Sequence, residues 1–114
     1  MSGLRRSIIP KYLFEASYTA EGLKGLLKDG GSKRREDLQE AVKQLGGNLE
    51  AIYFAFGDKD VFSIVDMPDN VSATAIALAI TASGAARIKT VVLLTSEEVD
   101  QATRKSVKYR APGK

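Results

Sequence analysis

The segment 49–56 (LEAIYFAF) is apolar on both faces of a predicted β-strand. Alternate side chains of a strand point to opposite sides of its sheet. One side would carry Ile52, Phe54 and Phe56, and the other Leu49, Ala51, Tyr53 and Ala55. Residues 91–94 repeat the pattern, with Val91 and Leu93 opposite Val92 and Leu94. An antiparallel sheet with helices on one side normally turns polar residues to the other side, so this sequence predicts a sheet that needs cover on both faces.

The order of elements can be predicted from periodicity and turn residues. Strands are predicted where apolar residues alternate or run together, over 11–18, 49–56, 61–65 and 88–94. The second and third strands form a hairpin around 57–60 (GDKD), where we expect Gly57 to supply a positive φ and the Asp60 carboxylate to close the turn.

Helices are predicted from capping residues and apolar stripes. The first begins after Thr19 and breaks at Gly30–Gly31, with Ser32 as a second cap. An alanine-rich helix runs from Asp69 or Asn70 to about Ser83, and Thr95 with Glu98 forms a capping box for a short C-terminal helix to about Val107. The resulting α+β order, βαββαβ with a four-stranded antiparallel sheet, is that of the ferredoxin-like fold.

The length of 114 residues allows one domain, which we assign to residues 11–108, between a flexible N-terminal arm (1–10) and a basic C-terminal tail (109–114). Seven of the 17 basic residues lie in 1–10 and 104–114, which contain no acidic residue, so residues 11–103 hold ten basic and 14 acidic residues. Because the body is acidic and the Lys33–Arg35 run is followed by two acids, we expect a solvated helix start there and no nucleic-acid partner.

Several site chemistries are excluded by composition. Without His or Cys the chain cannot form a zinc finger, an iron–sulfur cluster or a Ser-His-Asp relay. Lys59 separates Asp58 from Asp60, so we expect no metal site there, and we expect no cofactor. The uncharged run 71–86 is shorter than a membrane span. The absence of cysteine makes the cytoplasm the expected location, with no membrane partner.

Three segments resemble the GYD-domain family of small bacterial proteins, over roughly residues 10–110. They are KYLFEASYTAEGLKGLLKDGGSKRRE, FGDKDVFSIVDMPDN and KTVVLLTSEEVD. The family is grouped with the dimeric α/β barrels, so the resemblance implies subunits that pair sheet to sheet, but no established activity. Its Gly-x-Tyr-Asp pattern falls on 57–60, where Lys59 stands at the tyrosine position.

These observations support a non-catalytic homo-oligomer, expected to be a dimer, that binds a small apolar or amphipathic ligand between packed sheets. The alternative for the second face is that the C-terminal segment folds over it within a monomer. The residues predicted to contact the ligand are Tyr12, Phe14, Tyr53, Phe54, Asp60 and Phe62.

Two other functions stay open at this point. One is a cofactor-independent isomerase or oxygenase-like enzyme of the dimeric α/β barrel type, with a cleft between the sheet and the alanine-rich helix. Its acid–base groups would come from Tyr12, Tyr18, Tyr53, Glu15, Glu50, Asp66, Arg87 and Lys89, but their spacing assigns no catalytic residue. The other is an effector-binding partner of a regulator.

Overall fold

A computed structural model describes residues 9–114, so residues 1–8 of the predicted N-terminal arm lie outside the described residues. The elements in chain order are β1 (Lys11–Tyr18), α1 (Ala20–Asp29), α2 (Gly31–Gln44), β2 (Asn48–Phe54), β3 (Val61–Asp66), α3 (Asn70–Ala82), β4 (Ala86–Leu93) and α4 (Ser96–Thr103). The strands form one antiparallel sheet in the order β2-β3-β1-β4. The predicted α+β, ferredoxin-like fold is confirmed.

The helix face of the sheet holds the core. Alternate residues of β1 and β3 are buried there beneath α2 and α3, which contribute Val42, Ala73 and Ile76. Tyr12, Phe14 and Val65 from the sheet complete this cluster together with Met67, which directly follows β3. Burying apolar side chains of this size stabilises a fold by about 1.5–3 kcal/mol each, so this face anchors the domain.

A β-bulge corrects the predicted faces of β2. Leu49 pairs with Val65 and Ala51 pairs with Ile64, so Glu50 is an extra residue in the strand. An extra residue reverses the alternation on either side of it. Leu49 therefore packs against the core on the same face as Ile52, and the prediction that these two residues point apart was wrong.

The N-caps of α3 and α4 agree with the sequence patterns, whereas that of α2 differs. Asp69 caps α3 by accepting the backbone N–H of Ser72 at 2.8 Å, and Thr95 with Glu98 forms the predicted capping box of α4. The break between α1 and α2 falls at Gly30, whose φ of +85° suits glycine. Gly30 itself, not Ser32, is the N-cap of α2, and α4 ends at Thr103, before the predicted Val107.

The β2–β3 hairpin differs from its predicted turn. The positive φ, 57°, falls on Phe56 and not on Gly57, and β2 ends at Phe54. The Asp60 carboxylate accepts the backbone N–H of Tyr18 at 2.8 Å, and the Asp60 N–H donates to the carbonyl oxygen of Ala16 at 2.8 Å. Asp60 therefore ties the hairpin to the end of β1, where a turn-closing role was expected.

The opposite face of the sheet, which we call the open face, is apolar along its centre. The cross-strand row Ala51, Ile64, Leu13 and Val91 runs from one edge of the sheet to the other. Polar residues flank it: Lys11 bonds to Asp66 at 2.7 Å and to Glu50 at 2.5 Å on one side, and Glu15 pairs with Lys89 on the other.

The C-terminal segment does not pack over the open face. Val107 and Tyr109 are each 78% exposed, and α4 has no buried residue. The alternative in which the chain's own tail shields the sheet is therefore wrong. Among residues 9–114, no helix has both the length and the apolar character needed to cross a membrane.

Two glycines of α1 provide a matched test of the contact between this helix and the chain before β4. A Cβ on Gly22 would overlap the carbonyl oxygen of Ala85 and lie 2.9 Å from the Tyr18 ring, whereas a Cβ on Gly25 would meet nothing within 4 Å. We expect Gly22→Ala to lower the free energy of unfolding by about 2 kcal/mol through overpacking. Gly25→Ala should raise it by about 0.5–1 kcal/mol. Urea denaturation measures both, and equal effects of the two substitutions would contradict the close approach.

Candidate functional site

A cavity of about 180 Å³ lies between the helix face of the sheet and helices α2 and α3. We call it the helix-side cavity. The strands supply Phe14, Ala16, Tyr18, Ile52, Val61, Ser63, Ala86 and Ile88; the helices and the chain before β4 supply Arg34, Asp37, Leu38, Ala41, Ile80 and Ala85. Most of this lining is apolar, with polar groups at only a few positions, which is the usual composition of a small-molecule site.

The space comes from small side chains set among large ones. Ser63 pairs across the sheet with Phe14, and Ala86 pairs with Tyr18. Ala16 lies between Val61 and Ile88. Because the helices rest on the larger neighbours, the small residues leave a gap below α2 and α3.

Arg34 and Asp37 form a charged group at the cavity. The Nη2 of Arg34 bonds to Asp37 and lies 3.2 Å from Asp29 Oδ2, and Lys33 Nζ donates to Asp37 at 2.9 Å. The hydrogen bond from Lys33, with the charges of Lys33 and Arg34, lowers the pKa of the Asp37 carboxyl. The two cations and two carboxylates balance each other in charge.

Two polar side chains that line the cavity make fewer hydrogen bonds than they could. Ser63 is 3% exposed, yet its hydroxyl makes no hydrogen bond with another group among residues 9–114. The Nε of Arg34 is buried and is also without a partner in that part of the chain. Buried polar groups are nearly always paired in folded proteins, so the Arg34 Nε calls for a physical explanation. The Ser63 hydroxyl borders the cavity and can pair with a molecule there.

Tyr18 is the half-buried aromatic residue of the cavity that carries a titratable group. Burial is the main cause that raises the pKa of its phenol, and the charge of Asp60 adds to the rise while that of Arg34 opposes it. The neutral phenol is therefore favoured across the physiological range, as a hydrogen-bonding group and not as a base.

The six predicted ligand residues do not come together in one place. Phe14 lines the helix-side cavity, and Phe54 lies on the same sheet face, stacked on Phe56 with ring centroids 6.2 Å apart. Tyr53 and Phe62 pair on the open face. Tyr12 lies within the core, and Asp60 holds the hairpin.

The predicted acid–base groups are also divided between the two faces. Tyr18 lies at the helix-side cavity and Tyr12 in the core. The others extend along or beside the open face: Glu15, Glu50, Tyr53, Asp66, Arg87 and Lys89. Lys11 is held by two of these carboxylates, and its hydrogen bonds to Asp66 and Glu50 raise the pKa of its ammonium.

The sequence interpretation missed Arg34 and Ser63. Arg34 belongs to the basic run assigned to a solvated helix start, but it is half-buried against the cavity. Its burial depends on tertiary packing that a charge pattern does not reveal. Ser63 could have been found, because it is the polar residue on the core-facing side of an otherwise apolar strand (VFSIV).

Comparison with known proteins assigns the chain to a family without assigning an activity. A family model described as GYD domain matches residues 12–103. Neither curated proteins nor solved structures give a significant match.

Tyr12 tests whether the core beside the cavity depends on one buried hydroxyl. Its side chain is 1% exposed, and its hydroxyl donates to Asn70 Oδ1 at 2.5 Å. Tyr12→Phe should lower the free energy of unfolding by about 1 kcal/mol near neutral pH, because it leaves the Asn70 oxygen without its donor. Tyr109→Phe, in the exposed tail, is the control and should have no effect.

The same pair has a predicted pH dependence. Burial raises the pKa of Tyr12 above the value of 10.0 that applies to the unfolded chain. The stabilisation is therefore complete below pH 10.0 and is lost as the pH rises through the folded-state pKa. Urea denaturation at a series of pH values should show the gap between wild type and Tyr12→Phe narrowing in alkaline solution; a gap that stays constant would contradict this assignment.

Proposed function

The chain belongs to the GYD-domain family, and we propose that it acts as a non-catalytic homodimer that pairs through the open face of its sheet and binds a small apolar or amphipathic molecule. The observation that carries the assembly is the apolar row Ala51, Ile64, Leu13 and Val91, whose residues are partly exposed on the open face. A second copy offers the same row, so a two-fold contact would bury both rows at once. This arrangement agrees with the sheet-to-sheet pairing that the family resemblance implies.

The distribution of charge supports a contact at this face. The apolar row is flanked by the Lys11, Asp66 and Glu50 group and by the Glu15–Lys89 pair. An apolar centre with a polar border is the usual arrangement of a stable protein interface. Lys11 already forms ion pairs with Glu50 and Asp66 within one chain, and Glu15 lies opposite Lys89 in the sheet, so opposite charges stand together at the border.

The dimensions indicate that the sheet alone is too small for the whole contact. Strands of up to eight residues in a four-stranded sheet give a face of about 25 by 19 Å, or about 500 Å² per copy. A stable interface buries about 800 Å² per partner. Exposed apolar residues of the C-terminal segment, Val99, Val107 and Tyr109, lie outside the sheet and would supply the remainder against the second copy.

We place the small molecule in the helix-side cavity, not between the sheets, because this cavity is bounded within one chain by an apolar wall. Of the residues predicted to contact the ligand, Phe14 lines it. Binding is favoured over acid–base chemistry because a general base in an apolar cleft works with a carboxyl of raised pKa. The pKa of Asp37, the carboxyl that lines this cavity, is lowered, and two cations hold it.

Adjacent valines of β4 test the proposed dimer. Val91 lies on the open face, whereas Val92 lies on the opposite face and is 56% exposed. Val91→Lys would place an ammonium at the centre of the paired sheets, so the dissociation constant should rise by about a hundredfold or more. Val92→Lys adds the same charge to the same strand and should leave the dimer intact.

Sedimentation equilibrium at micromolar concentration measures the result, with circular dichroism as the check that both variants fold. A wild-type protein that is monomeric at this concentration contradicts the proposed assembly. Equal weakening by the two substitutions would place the contact elsewhere than the open face.

A further inference from the structure

We propose that the molecule bound in the helix-side cavity is a neutral ring or short chain with one acceptor oxygen, such as a ketone, ester or amide carbonyl, that accepts a hydrogen bond from the Ser63 hydroxyl. This inference rests on the small-molecule part of the proposed function. It adds the chemical class of the ligand and the residue that would recognise it.

The volume of the cavity suits a small ligand. A dry apolar cavity of about 150 Å³ in another protein holds one benzene molecule. The helix-side cavity, at about 180 Å³, is slightly larger. It therefore suits one six-membered ring with a short substituent, or an aliphatic chain of similar volume.

Ser63 supplies the reason for a polar atom on that ligand. Ser63 is only 3% exposed and lies on the helix face of β3, an interior strand of the sheet. It also lines the cavity. A ligand that covered this hydroxyl without pairing with it would cost about 1–3 kcal/mol relative to one that pairs with it. A purely apolar ligand would incur that cost, whereas a ligand oxygen would avoid it.

The hydrogen bonds of Arg34 and Asp37 favour an acceptor atom on the ligand. Its guanidinium has five N–H donors, and its bonds to Asp29 and Asp37 both use Nη2, while Nε has no partner among the described residues. The acceptor oxygens of Asp37 are already bound by Lys33 and Arg34. Because the Arg34 Nε is buried, the Ser63 hydroxyl is the donor assigned to the ligand.

The charges at the cavity determine that the ligand is neutral. Lys33 and Arg34 are matched by Asp29 and Asp37, so an entering carboxylate would meet no net positive charge. It would lose its hydration on entering an apolar space, and burial of an unpaired charge is far more costly than burial of a carbonyl group. A neutral carbonyl group avoids that cost.

Three probes of similar size separate these possibilities: acetophenone, ethylbenzene, which replaces its carbonyl group with a methylene, and benzoate. Each is titrated into the full chain at pH 7 while amide resonances of Ser63 and Ala86 report the cavity and that of Val91 reports the open face. Acetophenone should bind at the cavity about fivefold more tightly than ethylbenzene, the ratio that one ordinary hydrogen bond gives. Benzoate should bind at least tenfold more weakly than acetophenone.

Variants assign the preference to one hydroxyl. Ser63→Ala should abolish the preference for acetophenone and leave ethylbenzene binding at least as tightly, because the buried carbonyl oxygen then has no donor. Ser106→Ala, in the exposed tail, should keep the fivefold ratio. Ala41→Leu places a larger side chain in the cavity, and leucine is compatible with the helix α2 because its helix propensity is high. This substitution should abolish the binding of all three probes in the cavity. The amide spectrum of each variant shows whether it has folded.

The outcomes separate this inference from the proposed function. Ethylbenzene binding as tightly as acetophenone, or benzoate binding most tightly, overturns the inferred ligand class but leaves small-molecule binding in place. A fivefold preference that survives Ser63→Ala overturns the role of Ser63. If no probe shifts the cavity resonances up to its solubility limit, both the inference and the small-molecule part of the proposed function fail.

Discussion

The sheet has two apolar faces and helices for only one of them. On the helix face, Tyr12, Phe14 and Val65 are almost fully removed from water, and they hold α2 and α3 in place. On the open face, the row through Leu13 and Ile64 has no cover from the described chain, because the C-terminal segment is exposed. The hydrophobic effect that closes the domain on one side therefore also favours association on the other.

The helix-side cavity is a consequence of the same packing. Large side chains set the distance between the sheet and the helices, and Ala16, Ser63 and Ala86 are too small to fill it. Protein interiors are close-packed, so a gap of this size is maintained only by rigid surroundings. The charged group of Arg34 and Asp37 adds the polar contact that a purely apolar gap would lack. The two faces of the sheet can thus serve different roles without competing for the same residues.

The element order and the main caps could be predicted from the sequence because they depend on local signals. Asp69 precedes an uncharged helical run, and Thr95 is followed three residues later by Glu98. The bulge at Glu50 could not be predicted from alternation, since nothing local distinguishes an extra residue from a regular one. The positive φ of Phe56 was missed for a related reason: glycine next to it is the usual residue for that conformation, and the stacking of Phe56 on Phe54 is a tertiary contact.

The candidate site was less predictable than the fold. The predicted ligand residues are mostly aromatic, but they lie on both faces, and of these six only Phe14 lines the cavity. The burial of Arg34 depends on how α2 lies across the sheet, which no sequence period encodes. Ser63 was readable, because a hydroxyl on the buried side of an apolar strand is unusual. The cavity is formed by side chains that are far apart in the sequence, so composition alone does not locate it.

The two hydrogen bonds of Asp60 have a consequence for binding in the helix-side cavity, on the opposite face of the sheet from the open-face row. They fasten the hairpin to the end of β1, where Ala16 and Tyr18 form part of the cavity wall. A cavity wall that is already rigid loses little conformational entropy when a ligand binds. Asp60, which ends the family's four-residue turn pattern, thus fixes the cavity wall in position. Its contribution to affinity would be preorganisation of that wall.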